Sequence, residues 1–346
     1  MTTTSSQRDA SSTTDRRPSD TEGDKPGRGR GLMSVRSFAG TYALQLFTAA
    51  GLIVLFVLEP NFRQPGNIRS VLLQASFAGL AASAMTLLIV AGMFDLSVAG
   101  IVGLSAIMVA TVLPHTTVGA AIAVAVALGL VLGTLNGVVV TKLRFPPFIA
   151  TYGMLNLYLA VAFIWTAGAT LPIASVAFLP LATADVLGVP LLFLVMVLGV
   201  AICHLILTRT RLGRNLRAIG SSEAASRMAG LPVDRTRITA FAIVGVFTAV
   251  AGVGLSALLS SASADMSLGF ELTVIAVAVV GGTSLDGGKG SLLGTFTAAI
   301  LFSALNNALN LLSVTSYWQY VAVGVVLLLA LVIAGLRDGR ILFRRT

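Results

Sequence analysis

Ten long apolar stretches constrain this chain more than any other feature. They fall at roughly 39–58, 71–93, 99–113, 119–140, 148–168, 190–207, 238–259, 268–284, 291–312 and 318–336, and most run for about 15 to 22 residues without a charge. Backbone polar groups in lipid have to be satisfied within the protein, which leaves only helices and closed barrels as spanning structures. Barrel strands would alternate polar and apolar residues over about 10 positions; these runs do not alternate, so they read as helices. Composition agrees: 56% of the residues are hydrophobic and 11% charged, where a water-soluble domain carries about 25% charged residues. The expected fold is therefore all-α, a polytopic integral membrane protein.

The third and eighth stretches are short and glycine-interrupted, so the count of ten needs an independent test. Cytoplasmic segments of membrane proteins are enriched in Lys and Arg. With ten spans and both termini cytoplasmic, 21 of the 23 basic residues fall inside and only Arg63 and Arg69 outside. Removing one short span would export a basic terminus, and removing both would export the loop Arg209–Arg237. Trp165 and Trp318 then lie near outer ends of spans, where aromatic belts form. Three regions follow: a cytoplasmic tail 1–37, rich in Ser, Thr, Arg, Asp and Gly and expected to be disordered; a transmembrane domain 38–337 with a large cytoplasmic loop 208–237; and a basic tail 338–346. The net charge of +9 reflects this topology and the neighbouring membrane lipid, and does not suggest nucleic acid.

Polar residues inside the spans are uncharged, and no Asp, Glu, Lys or Arg stands near the middle of any of them. Ionised groups at that depth usually mark proton or ion paths, so an ion-coupled carrier is disfavoured. Amides and hydroxyls offer exchangeable hydrogen bonds without fixed charge, which suits an uncharged polar solute. Candidate pathway residues are Gln74, Thr86, Asn136, Asn306, Asn307 and Asn310, each of which could instead bond between helices. The single cysteine, Cys203, permits no intramolecular disulfide and fits no zinc pattern, so no metal site is expected. A faint repeat relates Ala91-Gly-Met-Phe-Asp-Leu-Ser-Val-Ala-Gly to Gly281-Gly-Thr-Ser-Leu-Asp-Gly-Gly-Lys-Gly. Both end an inward-running span in a Gly-rich turn on the same side, with Asp95 and Asp286 expected at cytoplasmic turns to cap helices or contact a partner.

The loop 208–237 carries the clearest local signal. Ser221 or Ser222 can cap a helix starting at Glu223, whose carboxylate suits the positive helix end; Ala224, Ala225, Met228 and Ala229 continue it; Gly230 can close it and Pro232 blocks extension. Glu223 and Arg227 form an i,i+4 pair. Two turns are too few to be stable alone in water, so the helix has to dock, and its small apolar face suits a groove on a partner.

This loop resembles the Glu-Ala-Ala…Gly element with which permeases of ATP-binding-cassette importers engage their ATPase subunits. Phe94-Asp-Leu-Ser-Val, Phe145-Pro-Pro-Phe-Ile-Ala-Thr-Tyr-Gly, Gly281-Gly-Thr-Ser-Leu-Asp-Gly-Gly-Lys-Gly-Ser and Asn306-Asn-Ala-Leu-Asn-Leu-Leu-Ser-Val-Thr-Ser-Tyr-Trp-Gln look like the ribose/xylose/arabinose group of that family, over roughly residues 45–336. The long tail and Met93-Phe94, where the family favours Gly-Ile, depart from its pattern. The resemblance implies a transport subunit that is not an enzyme, in the bacterial cytoplasmic (inner) membrane. It implies a second permease copy or paralogue, a cytoplasmic ATPase carrying ATP and Mg, and a periplasmic or extracellular sugar-binding protein. It also implies Glu223, Ala224, Ala225, Arg227 and Gly230 as the ATPase-coupling residues, with no cofactor bound by this chain. The sequence agrees on energy supply, because Gly287-Gly-Lys-Gly-Ser lacks the Gly-Lys-Ser/Thr of a phosphate-binding loop. Import of a branched-chain amino acid or nucleoside, an ion-coupled carrier and a membrane enzyme stand as alternatives.

Overall fold

The computed structural model of the protein describes residues 59–315 without a break and scattered positions between 50 and 57 and between 318 and 328; all belong to one compact unit, Tyr42–Thr346. The expected first and tenth spans, apart from those positions, and the tails 1–37 and 338–346 lie outside the described residues. In chain order the helices are α1 (Pro65–Val90), α2 (Val98–Val112, continued to His115 by a 3-10 turn), α3 (Val118–Lys142), α4 (Pro147–Thr166), the single turn α5 (Pro180–Thr183), α6 (Leu191–Arg209), α7 (Arg211–Ser221), α8 (Glu223–Met228), α9 (Val233–Leu259), α10 (Phe270–Val280) and α11 (Leu292–Leu311). All but α5, α7, α8 and α10 are long and apolar enough to cross a membrane. These seven correspond to the expected second to seventh and ninth spans.

Local chemistry sets the boundaries. Proline in the first turn opens α1 and α4, where its missing N–H costs nothing. The Thr117 and Ser291 hydroxyls accept from the backbone N–H groups of Ala120 and Gly294 to start α3 and α11. Several buried hydroxyls within spans satisfy themselves locally: Thr86 donates to the Ala82 carbonyl at 2.8 Å, and Ser83 and Thr141 bond one turn back in the same way.

The eighth span departs from expectation. Instead of a helix over 268–284 there is only α10, 11 residues long and so about 16 Å, roughly half the hydrocarbon thickness. The approach to it is non-helical: β4 (Ser261–Ala262) pairs antiparallel with β1 (Leu171–Pro172), and the chain then runs along α2, where the Ser267 hydroxyl donates to the Ala99 carbonyl at 2.8 Å. Irregular backbone at membrane depth is tolerated because it is enclosed by protein. The expected eighth span therefore holds one acid, Glu271, half-buried in the first turn of α10.

Helix α1 is the hub. Its apolar window is 94% buried, whereas those of α3, α4 and α6 are 22–28% buried, so α1 is enclosed by α6, α9, α10 and α11 while the others turn apolar faces to lipid. The closest helix pair is α3 with α9. Gly129, Gly133 and Gly137 lie one turn apart on α3, and a Cβ at Gly133 would come 2.5 Å from the Phe241 carbonyl oxygen and 2.9 Å from the Gly245 Cα. Small residues at helical spacing let two backbones touch where lipid supplies no hydrophobic drive. At the end opposite α7 and α8, Arg69 clamps the hairpin β2–β3 (Asp185–Val186 with Val189–Pro190). It pairs with Asp185 at 3.1 Å and donates to the Ala182 carbonyl at 2.9 Å.

Candidate coupling element and solute pathway

The expected helix in the basic loop is α8, and it has the caps the sequence suggested. The Ser222 hydroxyl accepts from the Ala225 N–H at 3.3 Å. At the other end Gly230, with φ +74°, donates to the Arg227 carbonyl and Leu231 to the Ser226 carbonyl, both at 3.0 Å; this is the paired-bond closure that favours glycine. Ser226 is buried beneath the helix, while Ala224, Ala225 and Met228 are exposed, Met228 by 84%. The preceding α7, capped by Thr210, buries Gly213, Leu216 and Ile219 and turns Arg211 and Arg214 outward.

The charges of α8 pair with the first turns of α9 while staying partly exposed. The Glu223 carboxylate accepts from Arg237 at 2.7 Å and from Arg227 at 3.0 Å. Arg227 also reaches Asp234 at 3.0 Å, and Asp234 pairs with Lys142 at 3.4 Å. The hydrogen bond from Arg237 holds the Glu223 carboxyl below the usual carboxylate range, opposed by partial burial and assisted by Arg227. Lys142, Asp234 and Arg237 were missed from sequence. The available signal was an acid and a base three residues apart in the first turn of α9, beside a loop with its own Glu/Arg pair.

The repeat-like turns meet. Gly92 donates to the Ile89 carbonyl and Met93 to the Leu88 carbonyl; Gly282 and Thr283 make the same two bonds to Val279 and Ala278. The resemblance is thus local cap geometry at the ends of α1 and α10. Beyond the first turn the two diverge. Asp95 is fully buried, its carboxylate accepting from the Ser97 N–H at 2.8 Å and from the Asn136 amide at 3.2 Å. Tyr158 donates to the Asn136 side-chain oxygen at 2.8 Å, and Thr151 accepts from the Leu96 N–H. The Asp95 carboxylate thus closes a turn onto the Ser97 N–H ahead of α2 and does not cap the helix itself, and no part of its side chain is exposed to a partner. Asp286 stays in the Gly-rich turn 281–291 at the end of α10.

The candidate pathway residues separate. Gln74 and Asn306 come together with Ser303 and Thr273 around a cavity of about 310 Å³ between α1, α9, α10 and α11, whose apolar walls include Phe77 and Phe302. Asn307 instead donates to Asn67 at 2.8 Å. The Thr86 and Thr295 hydroxyls bond each other at 2.8 Å in the interior. Asn136 belongs to the Asp95 cluster, and Asn310 sits at the far end of α11. Among the described residues no group of His, Cys, Asp and Glu could hold a metal.

The structure thus presents a helical bundle with a short docked helix, α8, and a mostly apolar cavity that carries a few uncharged polar groups. Residues 67–331 match the family described as branched-chain amino acid transport system / permease component. The chain belongs to this family. Among its relatives, the ribose import permease protein RbsC of Haemophilus influenzae is 35% identical over 310 residues, covering 87% of this chain and 93% of the relative. The RbsC protein of Bacillus subtilis is 36% identical over 289 residues (81% and 88%). The L-arabinose ABC transporter permease protein AraH of Azospirillum brasilense is 32% identical over 295 residues (83% and 87%). No solved structure matches the chain. Family membership makes the chain a multi-pass transport subunit, not an enzyme. Importers of this family draw on an ATPase and a substrate-binding protein.

Proposed function

We propose that this chain is the membrane-spanning permease subunit of an ATP-driven bacterial importer for a neutral monosaccharide of the ribose or arabinose kind. It would have ten spans with both ends in the cytoplasm and would pair with a second permease copy or paralogue. The observation that carries the reading is the combination of α8, with its exposed Ala224, Ala225 and Met228, and a cavity whose polar lining is made of amides and hydroxyls. The first suits a groove on a cytoplasmic ATPase, which would hold ATP and Mg. The second offers exchangeable hydrogen bonds without fixed charge, which suits a polyol handed over by an external binding protein. Relatives named as ribose and arabinose permeases support the same solute class. An amino-acid substrate would call for a cationic group to meet its carboxylate, and neither Lys nor Arg lines the cavity.

Coupling is tested by Glu223→Lys, which sets a third cation beside Arg227 and Arg237 and should release α8. Uptake of labelled ribose into cells should collapse while the protein remains in the membrane. Normal uptake by this variant would remove α8 from the mechanism.

A further inference from the structure

Besides the burial of Gly213, Leu216 and Ile219 on α7, two contacts tie the cytoplasmic element to the bundle, and they differ in stiffness. The ionic tie joins α8 to α9 through Glu223 and Arg237, with Glu223 42% exposed. Its partner Arg237 is 10% exposed, so the pair is only partly screened, but long side chains can rotate to absorb a displacement. The second tie is backbone against backbone. Gly220, in the last turn of α7, lies so close to the end of α1 that a Cβ would overlap the Val90 carbonyl oxygen and come 2.5 Å from the Gly288 nitrogen. A Cβ on Gly287 would stand 2.9 Å from the Gly220 Cα and 3.1 Å from the Gly92 nitrogen. Gly288 donates to the Val90 carbonyl at 2.8 Å, and Gly287 and Gly288 have φ of +84° and +75°, the left-handed region that favours glycine. Three chain segments meet here with no side chain between them: the end of α7, the turn after α1 and the turn between α10 and α11.

These are also the helices that line the polar cavity: Gln74 is on α1, Thr273 on α10, and Ser303 and Asn306 on α11. Close-packed backbone transmits strain because it has no slack to take it up. We propose that the joint of Gly220, Gly287 and Gly288 against Val90 is the transmission point through which movement of α7–α8 repositions α1 and the α10–α11 turn, and with them the cavity walls. This rests on the reading of the chain as an ATP-driven permease. The ionic tie to α9 positions α8, and the glycine joint delivers the displacement.

Because Gly220→Ala sets its Cβ on backbone atoms and threatens assembly, the test perturbs the joint after assembly. The Ser221 hydroxyl is exposed and lies where a Cβ on Gly288 would come within 2.7 Å of it, and Cys203 is fully buried. Ser221→Cys is reconstituted in proteoliposomes with cysteine-free cognate ATPase and sugar-binding protein, then alkylated with maleimides of increasing size. Thr208→Cys, exposed at the end of α6, is the control. The expected result at Ser221→Cys is a graded fall in ribose taken up per ATP hydrolysed, reaching about tenfold with the bulkiest reagent, while hydrolysis continues and the control stays flat. An unchanged ratio, whether both rates hold or both fall together, overturns the proposal. Absence of ATP-dependent ribose uptake by the unmodified complex overturns the transport reading instead.

Discussion

Single residues show how differently polar groups are used at membrane depth. Asp95 and Asn136 spend their hydrogen-bonding capacity on each other and on Ser97 and Tyr158, whereas Gln74 and Asn306 face a cavity. Substituting Asp95→Ala removes an acceptor and leaves buried donors unsatisfied, at a cost of about 1–3 kcal/mol for each. A lowered thermal midpoint of the detergent-purified protein is expected, with Asp95→Asn milder. Gln74→Ala and Asn306→Ala, by contrast, should leave that midpoint nearly unchanged and lower ribose uptake. Glu223 supplies a pH test. Its carboxyl lies below the ordinary range, so the stabilisation is complete above the unfolded value of about 4.3 and is lost as pH falls through the lower folded value. Cleavage by an acid-tolerant protease within α8 should therefore be slow at neutral pH and rise below about pH 4, and Glu223→Gln should be cleaved readily at both.

At the level of elements, the contact of α3 with α9 is the most demanding. Gly133→Leu places a branched side chain where a bare Cβ already meets the Phe241 carbonyl. The helices would have to part, so folded protein recovered from the membrane should fall severalfold, while Gly153→Leu, with open space around it, should be tolerated. Some boundaries were legible because their signals are local: Ser222 with Gly230 around α8, and the glycines after α1 and α10; the start of α1 at Pro65 was not, since the apolar run begins only at 71. The length of α10 was not legible. The residues of 268–284 are apolar enough to continue a helix, and it is the pairing of Ser261–Ala262 with Leu171–Pro172 and the Ser267 bond to Ala99 on α2 that hold a non-helical approach in its place.

For the whole molecule, topology makes the strongest test. A reporter fused after Ile173, between α4 and α6, should read as external and one fused within 208–237 as cytoplasmic; a cytoplasmic reading at the first site would break the ten-span arrangement. Apolar runs were enough to establish a membrane protein and the order of the seven long described helices, and the cap signals Ser222 and Gly230 were enough for the short helix in its largest loop. Three things waited for the tertiary structure: Gln74 beside Asn306, Glu223 turned toward Arg237, and Gly220 seated on the turns after both α1 and α10. The reason is physical. In water an apolar stripe tells a helix which side to bury, but in lipid every face of these helices is apolar, so pairing is decided by close packing and by a few hydrogen bonds between residues far apart in the chain.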